Sequence, residues 1–116
     1  MDYKYINPEY ILSVTGGDKE AIIEVVDMFR AQVLEIISEM KKLLESADYY
    51  NLGLLAHKAK SSVAIMGMEN LAGKLKSFEL QAKEGLNPEL YPGYISDYEA
   101  ETKEALKELD HLVSST

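Results

Sequence analysis

Apolar residues recur every three to four positions through almost the whole chain and nowhere alternate, so the pattern predicts helices and no strands. A short opening helix is expected to start with Asn7 as its N-cap and Pro8 in the first turn, to run through Ile11 and Val14, and to stop at Gly16-Gly17. Asp18 then caps a long helix with Ile22, Val26, Phe29, Val33, Ile36, Met40 and Leu44 on one stripe, ending near Ser46. Some 28 residues at ~1.5 Å each make an element about 42 Å long, the length of a bundle stave. Asp48 opens the next helix, whose stripe of Leu52, Leu55, Ala59, Val63 and Met66 is expected to be buried and which Gly67 closes.

The pattern repeats through Leu71, Leu75, Phe78, Ala82 and Leu86. Asn87-Pro88 and Tyr91-Pro92-Gly93 mark the following connection, and a final helix carries Ile95, Tyr98, Thr102, Ala105, Leu109 and Leu112 at core spacing. Met28, Met40 and Met66 are expected to fill gaps in the core. Short connections between long amphipathic helices imply antiparallel neighbours. The expected fold class is all-α: an antiparallel up-down four-helix bundle with a short extra N-terminal helix. At 116 residues, 1-116 reads as a single domain.

Composition narrows the function classes. No cysteine is present, which removes disulfide, thiolate and zinc-thiolate chemistry and fits a reducing, cytoplasmic compartment. The start has neither the basic nor the apolar region of a signal peptide, and no apolar run approaches the ~18 residues of a membrane helix, so no membrane partner is expected. Met1 reads as a natural start and the last helix as finished, which favours a free-standing protein. A net charge of −8 argues against nucleic acid. That charge is uneven: between His57 and Lys83 five lysines face two glutamates, leaving +3 locally and −11 elsewhere (7 basic against 18 acidic). A cationic island in an acidic protein suits a phosphoryl group or an acidic partner site. No heptad seam is left over once the core is filled, so a monomer is expected.

The island surrounds His57. On a helix, His57, Lys60, Ser61 and Ala64 share one stripe, opposite the apolar one. Residues on the histidine's stripe are small, with Gly53 one turn before and Ser61 and Ala64 after. Gly53 costs about 1 kcal/mol of helix propensity, which close approach of another protein would explain. Lys60 is placed to pair with negative charge arriving on the ring, and a neutral imidazole is a good nucleophile near neutral pH. The competing account of His57 is a polar residue on a solvated helix face. His111, after Asp110 and without a lysine three residues on, reads as a surface histidine near a helix C-terminus. Lys58 points about 100° away from His57 and reads as a solvated flank. Lys76, Glu79 and Lys83 share a face of the following helix and can all address His57 across the groove.

The segment His57-x-x-Lys60-Ser61-Ser62-x-x-x-x-Gly67, preceded by Ala56 and followed by Leu71 and Phe78-Glu79, resembles the histidine phosphotransfer (HPt) domains of bacterial multistep phosphorelays. The resemblance extends to the Gly17-Asp18 start, the Phe29 region and the Asp48 opening. It implies a four-helix bundle that takes a phosphoryl group from a receiver aspartate and passes it to another receiver. By position it makes His57 the phospho-accepting residue, through Nε2, and Lys60 the neighbour that stabilises the phosphoryl oxygens. Glu79 stands where the family commonly has a glutamine or glutamate bonded to the other ring nitrogen, and Lys83 where some members carry a basic residue. The alternative for Glu79 is a surface carboxylate paired with Lys83 four residues on. Ser61 departs from the family's usual glycine but remains small.

Gly53, Leu54, Ser61, Ala64 and Ile65 are the expected receiver-docking positions. Leu54 and Ile65 are apolar where solvent is expected, and Ile11 and Val14 of the opening helix extend that rim by resemblance. The implied partners are response-regulator receiver domains and a hybrid histidine kinase. No cofactor is expected, Mg²⁺ being brought by the receiver, and no phosphate-binding glycine loop or G-x-x-x-x-G-K motif is present, so the chain reads as a phosphocarrier and not an enzyme. Two other readings compete: an HPt-like module that binds a receiver or kinase without being phosphorylated, and a purely structural helical bundle.

Overall fold

Local capping decides where each helix begins. The computed structural model describes residues 2–116; Met1, read above as a natural start, lies outside them. Helix α1 (Pro8–Thr15) opens under Asn7, whose side-chain oxygen accepts from the Tyr10 amide at 3.2 Å, with proline in the first turn where a missing N–H costs nothing. Helix α2 (Lys19–Glu45) opens under Asp18 and α3 (Tyr49–Ile65) under Asp48, each carboxylate accepting an amide three residues on. Helix α4 (Glu69–Lys83) follows the Gly67 turn, and α5 (Tyr91–Ser114) follows a 3₁₀ turn at Pro88–Leu90. No strand occurs among the described residues. The molecule measures 43 × 21 × 20 Å, its long axis set by α2.

One core runs the length of the bundle. Ile22, Val26, Phe29, Val33, Ile36 and Met40 of α2 meet Leu52, Ala56, Ala59 and Val63 of α3, Leu71, Leu75, Phe78 and Ala82 of α4, and Ile95, Tyr98, Ala105 and Leu109 of α5. Between α3 and α4 the facing pairs are Gly53 with Lys83 and His57 with Glu79, so partner numbers fall along one helix as they rise along the other. The end near Tyr91 is aromatic: its ring meets Tyr49 edge-on at 5.2 Å and Phe78 at 5.4 Å, and Phe78 stacks on Tyr94 at 5.0 Å.

Four expectations change. Tyr91-Pro92-Gly93 is not part of the connection but the first turn of α5: the Tyr91 ring is fully buried, and Pro92 sits where a helix tolerates it. Leu86 lies outside α4 and is exposed, because the helix stops at Lys83 and Gly85 turns left-handed at φ +67°. Met28 is 64 % exposed and fills no gap; it stands beside the core stripe of α2, not on it. Ile11 is fully buried, so the lid helix docks through it, and it adds nothing to an outer rim.

The segment ahead of α1 is fastened at both ends. Glu108, buried on α5, accepts the backbone amides of Lys4, Tyr5 and Ile6 at 2.8, 2.9 and 3.1 Å. The Tyr3 hydroxyl and Nδ1 of His111 are hydrogen-bonded at 2.8 Å, so His111 anchors the strap as well as lying at the surface. At its other end the Asn7 amide donates to the Met66 carbonyl at 3.0 Å, closing the C-terminus of α3. Gly67 makes room for this: its φ is +74°, and a Cβ there would collide with Asn7.

Candidate functional site

His57 stands on the exposed side of α3 because Leu52, Leu55, Ala56, Ala59 and Val63 hold the other side in the core. Its ring is 56 % exposed, yet Nδ1 lies 3.0 Å from Oε1 of Glu79, which reaches across from α4 and is itself only 8 % exposed. The second carboxylate oxygen of Glu79 accepts from the Lys83 ammonium at 2.8 Å, one turn along the same helix. Lys60, one turn after His57, brings its ammonium to 3.5 Å from Oε1.

The neighbours of Glu79 fix its charge. The Lys83 ammonium holds the Glu79 carboxyl down at about 2, against the pull of burial upward; the hydrogen bond and charge of His57 and the charge of Lys60 lower it further. Glu79 is therefore ionised at neutral pH and has only acceptors to offer. The proton in this bond is therefore on Nδ1 of His57, and Nε2 takes no part in it. Nε2 has no partner among the described residues.

The rest of the α3 face surrounds this ring. Ser61 and Ala64 are exposed beside it, and the Ser61 hydroxyl donates back to the His57 carbonyl at 3.2 Å. Leu54 and Ile65 are 42 % and 47 % exposed. Tyr50, four residues before Leu54 and 58 % exposed, continues the same apolar edge; its i, i+4 spacing was a signal that its place near a helix end concealed.

Gly53 does not belong to that outer face. It is buried against α4, where a Cβ would meet Lys83 and the Glu79 carbonyl, so its missing side chain admits a neighbouring helix of the same chain and not another protein. Lys76 shares a face with Glu79 in principle but remains in solvent without a bond to the group, and Lys58 is exposed as expected. Among the described residues no three His, Asp or Glu side chains converge as a metal site requires.

An imidazole with Nδ1 held and Nε2 without a partner among the described residues, on an exposed helix face with two ammonium groups beside the same carboxylate, has one ring nitrogen that an outside electrophile could reach. Residues 24–114 match the family model of the Hpt domain, and that span includes the whole His57–Glu79–Lys60–Lys83 group. The chain belongs to the Hpt domain family, whose members carry phosphoryl groups in two-component signalling and interact there with receiver domains and histidine kinases. No curated protein and no solved structure matches it. Among the described residues no helix is long and apolar enough to cross a membrane.

Proposed function

We propose that this protein is a phosphorelay intermediate, which accepts a phosphoryl group on Nε2 of His57 from a receiver-domain aspartate and passes it to a second receiver. The observation that carries this reading is the 3.0 Å bond between Nδ1 and an ionised Glu79. In the forward step the Nε2 lone pair attacks the phosphorus of an aspartyl phosphate. The N–P bond forms as the P–O bond to the aspartate breaks, and the aspartate leaves as a carboxylate with the bonding pair. Positive charge gathers on the ring, and the Glu79 carboxylate at Nδ1 offsets it. Lys60 and Lys83 supply cationic charge for the phosphoryl oxygens. Donation to the second receiver reverses each bond change.

Leu54, Ser61, Ala64 and Ile65 form the docking face in this reading, apolar groups beside a charged centre as a transient interface needs. The chain acts as one unit and as a monomer in the cytoplasm, as a carrier with no nucleotide site of its own, and Mg²⁺ for the transfer is brought by the receiver.

The test is transfer from a receiver labelled with phosphate on its aspartate, to wild type and to His57→Gln. Label that moves to the wild type, resists alkali, is lost in acid and is absent from the variant supports the relay. Receiver binding without any transfer would replace it with a module that sequesters the receiver; no binding at all would leave only a structural bundle.

A further inference from the structure

Glycine in a helix interior is disfavoured relative to alanine, yet Gly53 lies inside α3, one turn before His57. A Cβ at this position would lie 2.8 Å from Cγ of Lys83, 2.9 Å from the Lys83 amide nitrogen and 3.0 Å from the Glu79 carbonyl oxygen. Two of those atoms belong to the backbone of α4 and have no rotamer through which to escape. Gly73, inside α4, has nothing within 4 Å of the same imagined atom. The close approach is thus a property of position 53 and not of helix glycines here in general.

The residues pressed into this notch are the two that hold the histidine. Glu79 and Lys83 bracket one turn of α4, and that turn sits on Gly53. The Lys83 stem passes over the glycine, and its ammonium continues to Oε2 of Glu79 at 2.8 Å. One turn further along α3, Oε1 of the same carboxylate meets Nδ1 at 3.0 Å. An N–H···O bond weakens beyond ~3.2 Å, so a separation of the helices by several tenths of an ångström is enough to disturb it.

We propose that Gly53 is a positioning residue for the His57 tautomer: its missing side chain sets the separation of α3 and α4 at which Glu79, steered by Lys83, accepts the Nδ1 proton. Its relevance to phosphotransfer rests on the relay reading above, but the geometry it predicts is measurable without any partner.

The experiment is ¹⁵N NMR of the imidazole nitrogens at about pH 9, where an ordinary histidine is neutral. Protonated and lone-pair ring nitrogens resonate far apart, and His111 serves as an internal reference. In Gly53→Ala the ratio of the Nδ1–H to the Nε2–H tautomer of His57 is expected to fall about tenfold, the loss of one charge-assisted hydrogen bond. His111 should be unchanged, and Gly73→Ala should leave both rings as in the wild type. Should Gly53→Ala fail to fold, the same change is measured in the Gly73→Ala background, where added helix propensity raises stability. A folded Gly53→Ala with the wild-type His57 spectrum overturns the proposal, and so does unfolding in both backgrounds, which would make the notch a requirement of packing alone. Wild-type protein with the Nδ1–H tautomer that takes no phosphoryl group overturns the relay reading and leaves this one standing.

Discussion

Glu79 and Lys83 stand one turn apart on α4, and the 2.8 Å bond between them occupies one carboxylate oxygen while the other faces His57 at 3.0 Å. Division of a single buried carboxylate between a lysine and the histidine links the site's charge to its geometry. Replacing Glu79 with glutamine keeps an acceptor but removes the charge, and alanine removes both. Phosphotransfer to His57 is expected to fall about tenfold in Glu79→Gln and about a hundredfold in Glu79→Ala, corresponding to one charge-assisted hydrogen bond weakened or lost. Rapid-quench transfer from a labelled receiver measures both; equal rates in the three proteins would remove Glu79 from the mechanism.

The same carboxylate makes the fold sensitive to acid. Glu79 is held at about 2 in the folded chain, chiefly by the Lys83 ammonium, against 4.5 for a free glutamate. Because the folded value is the lower one, the stabilisation is fully present above pH ~4.5 and is lost as pH falls towards ~2. At most about 3 kcal/mol is involved, at ~1.4 kcal/mol per pH unit. Urea unfolding at pH 6 and pH 3 should show the loss in wild type and a clearly smaller one in Glu79→Gln.

Lys60 and Lys83 both address Glu79 but differ in what else they do. Lys83 bonds the carboxylate closely and packs on Gly53, whereas Lys60 is 3.5 Å from it. Lys60→Ala is expected to lower transfer about tenfold, as loss of one ammonium beside developing charge would, with stability within ~0.5 kcal/mol of wild type. Lys83→Ala should lower both transfer and stability, the latter by about 1–2 kcal/mol. Transfer rates with thermal melts on the two variants check this; identical behaviour would contradict the separate roles.

Leu54 and Ile65 are solvent-facing, whereas Ile11 is fully buried. Leu54→Ala and Ile65→Ala should each weaken receiver binding by about 1 kcal/mol, roughly fivefold, and leave the melting temperature alone. Ile11→Ala should instead destabilise the fold by about 2–5 kcal/mol. Titration calorimetry with a receiver, alongside denaturation, separates the two effects.

Glu108 holds three amides that no other acceptor among the described residues serves. Glu108→Ala is expected to cost about 3 kcal/mol and to release the strap, with faster hydrogen exchange at Lys4, Tyr5 and Ile6. Unchanged protection at those amides would show that the strap is held by other contacts.

How much of this was legible beforehand depends on how far each interaction reaches along the chain. Periods of three and four placed the stripes of α2, α3, α4 and α5, and the short side chains of Asn7, Asp18 and Asp48 placed three helix starts. Those are signals within one or two turns, and they need no knowledge of neighbours. The spacing of His57 and Lys60 was legible for the same reason; across the 22 residues to Glu79, helix geometry allowed three side chains to reach His57 and the resemblance singled out Glu79 as its partner.

Sequence alone therefore determined an all-α chain, the starts of its first three helices and the exposed stripe that carries His57, because backbone capping and helix period act locally. Only the tertiary structure decided which side of that stripe is free. It turned Gly53 inward against Lys83, sank Ile11 and Tyr91 into the core, left Met28 outside, and buried Glu108 under amides more than 100 residues away. A glycine, an isoleucine or a glutamate looks the same in a helix pattern whether solvent, a partner or another helix covers it. The covering element comes from elsewhere in the chain, and only its packing says which.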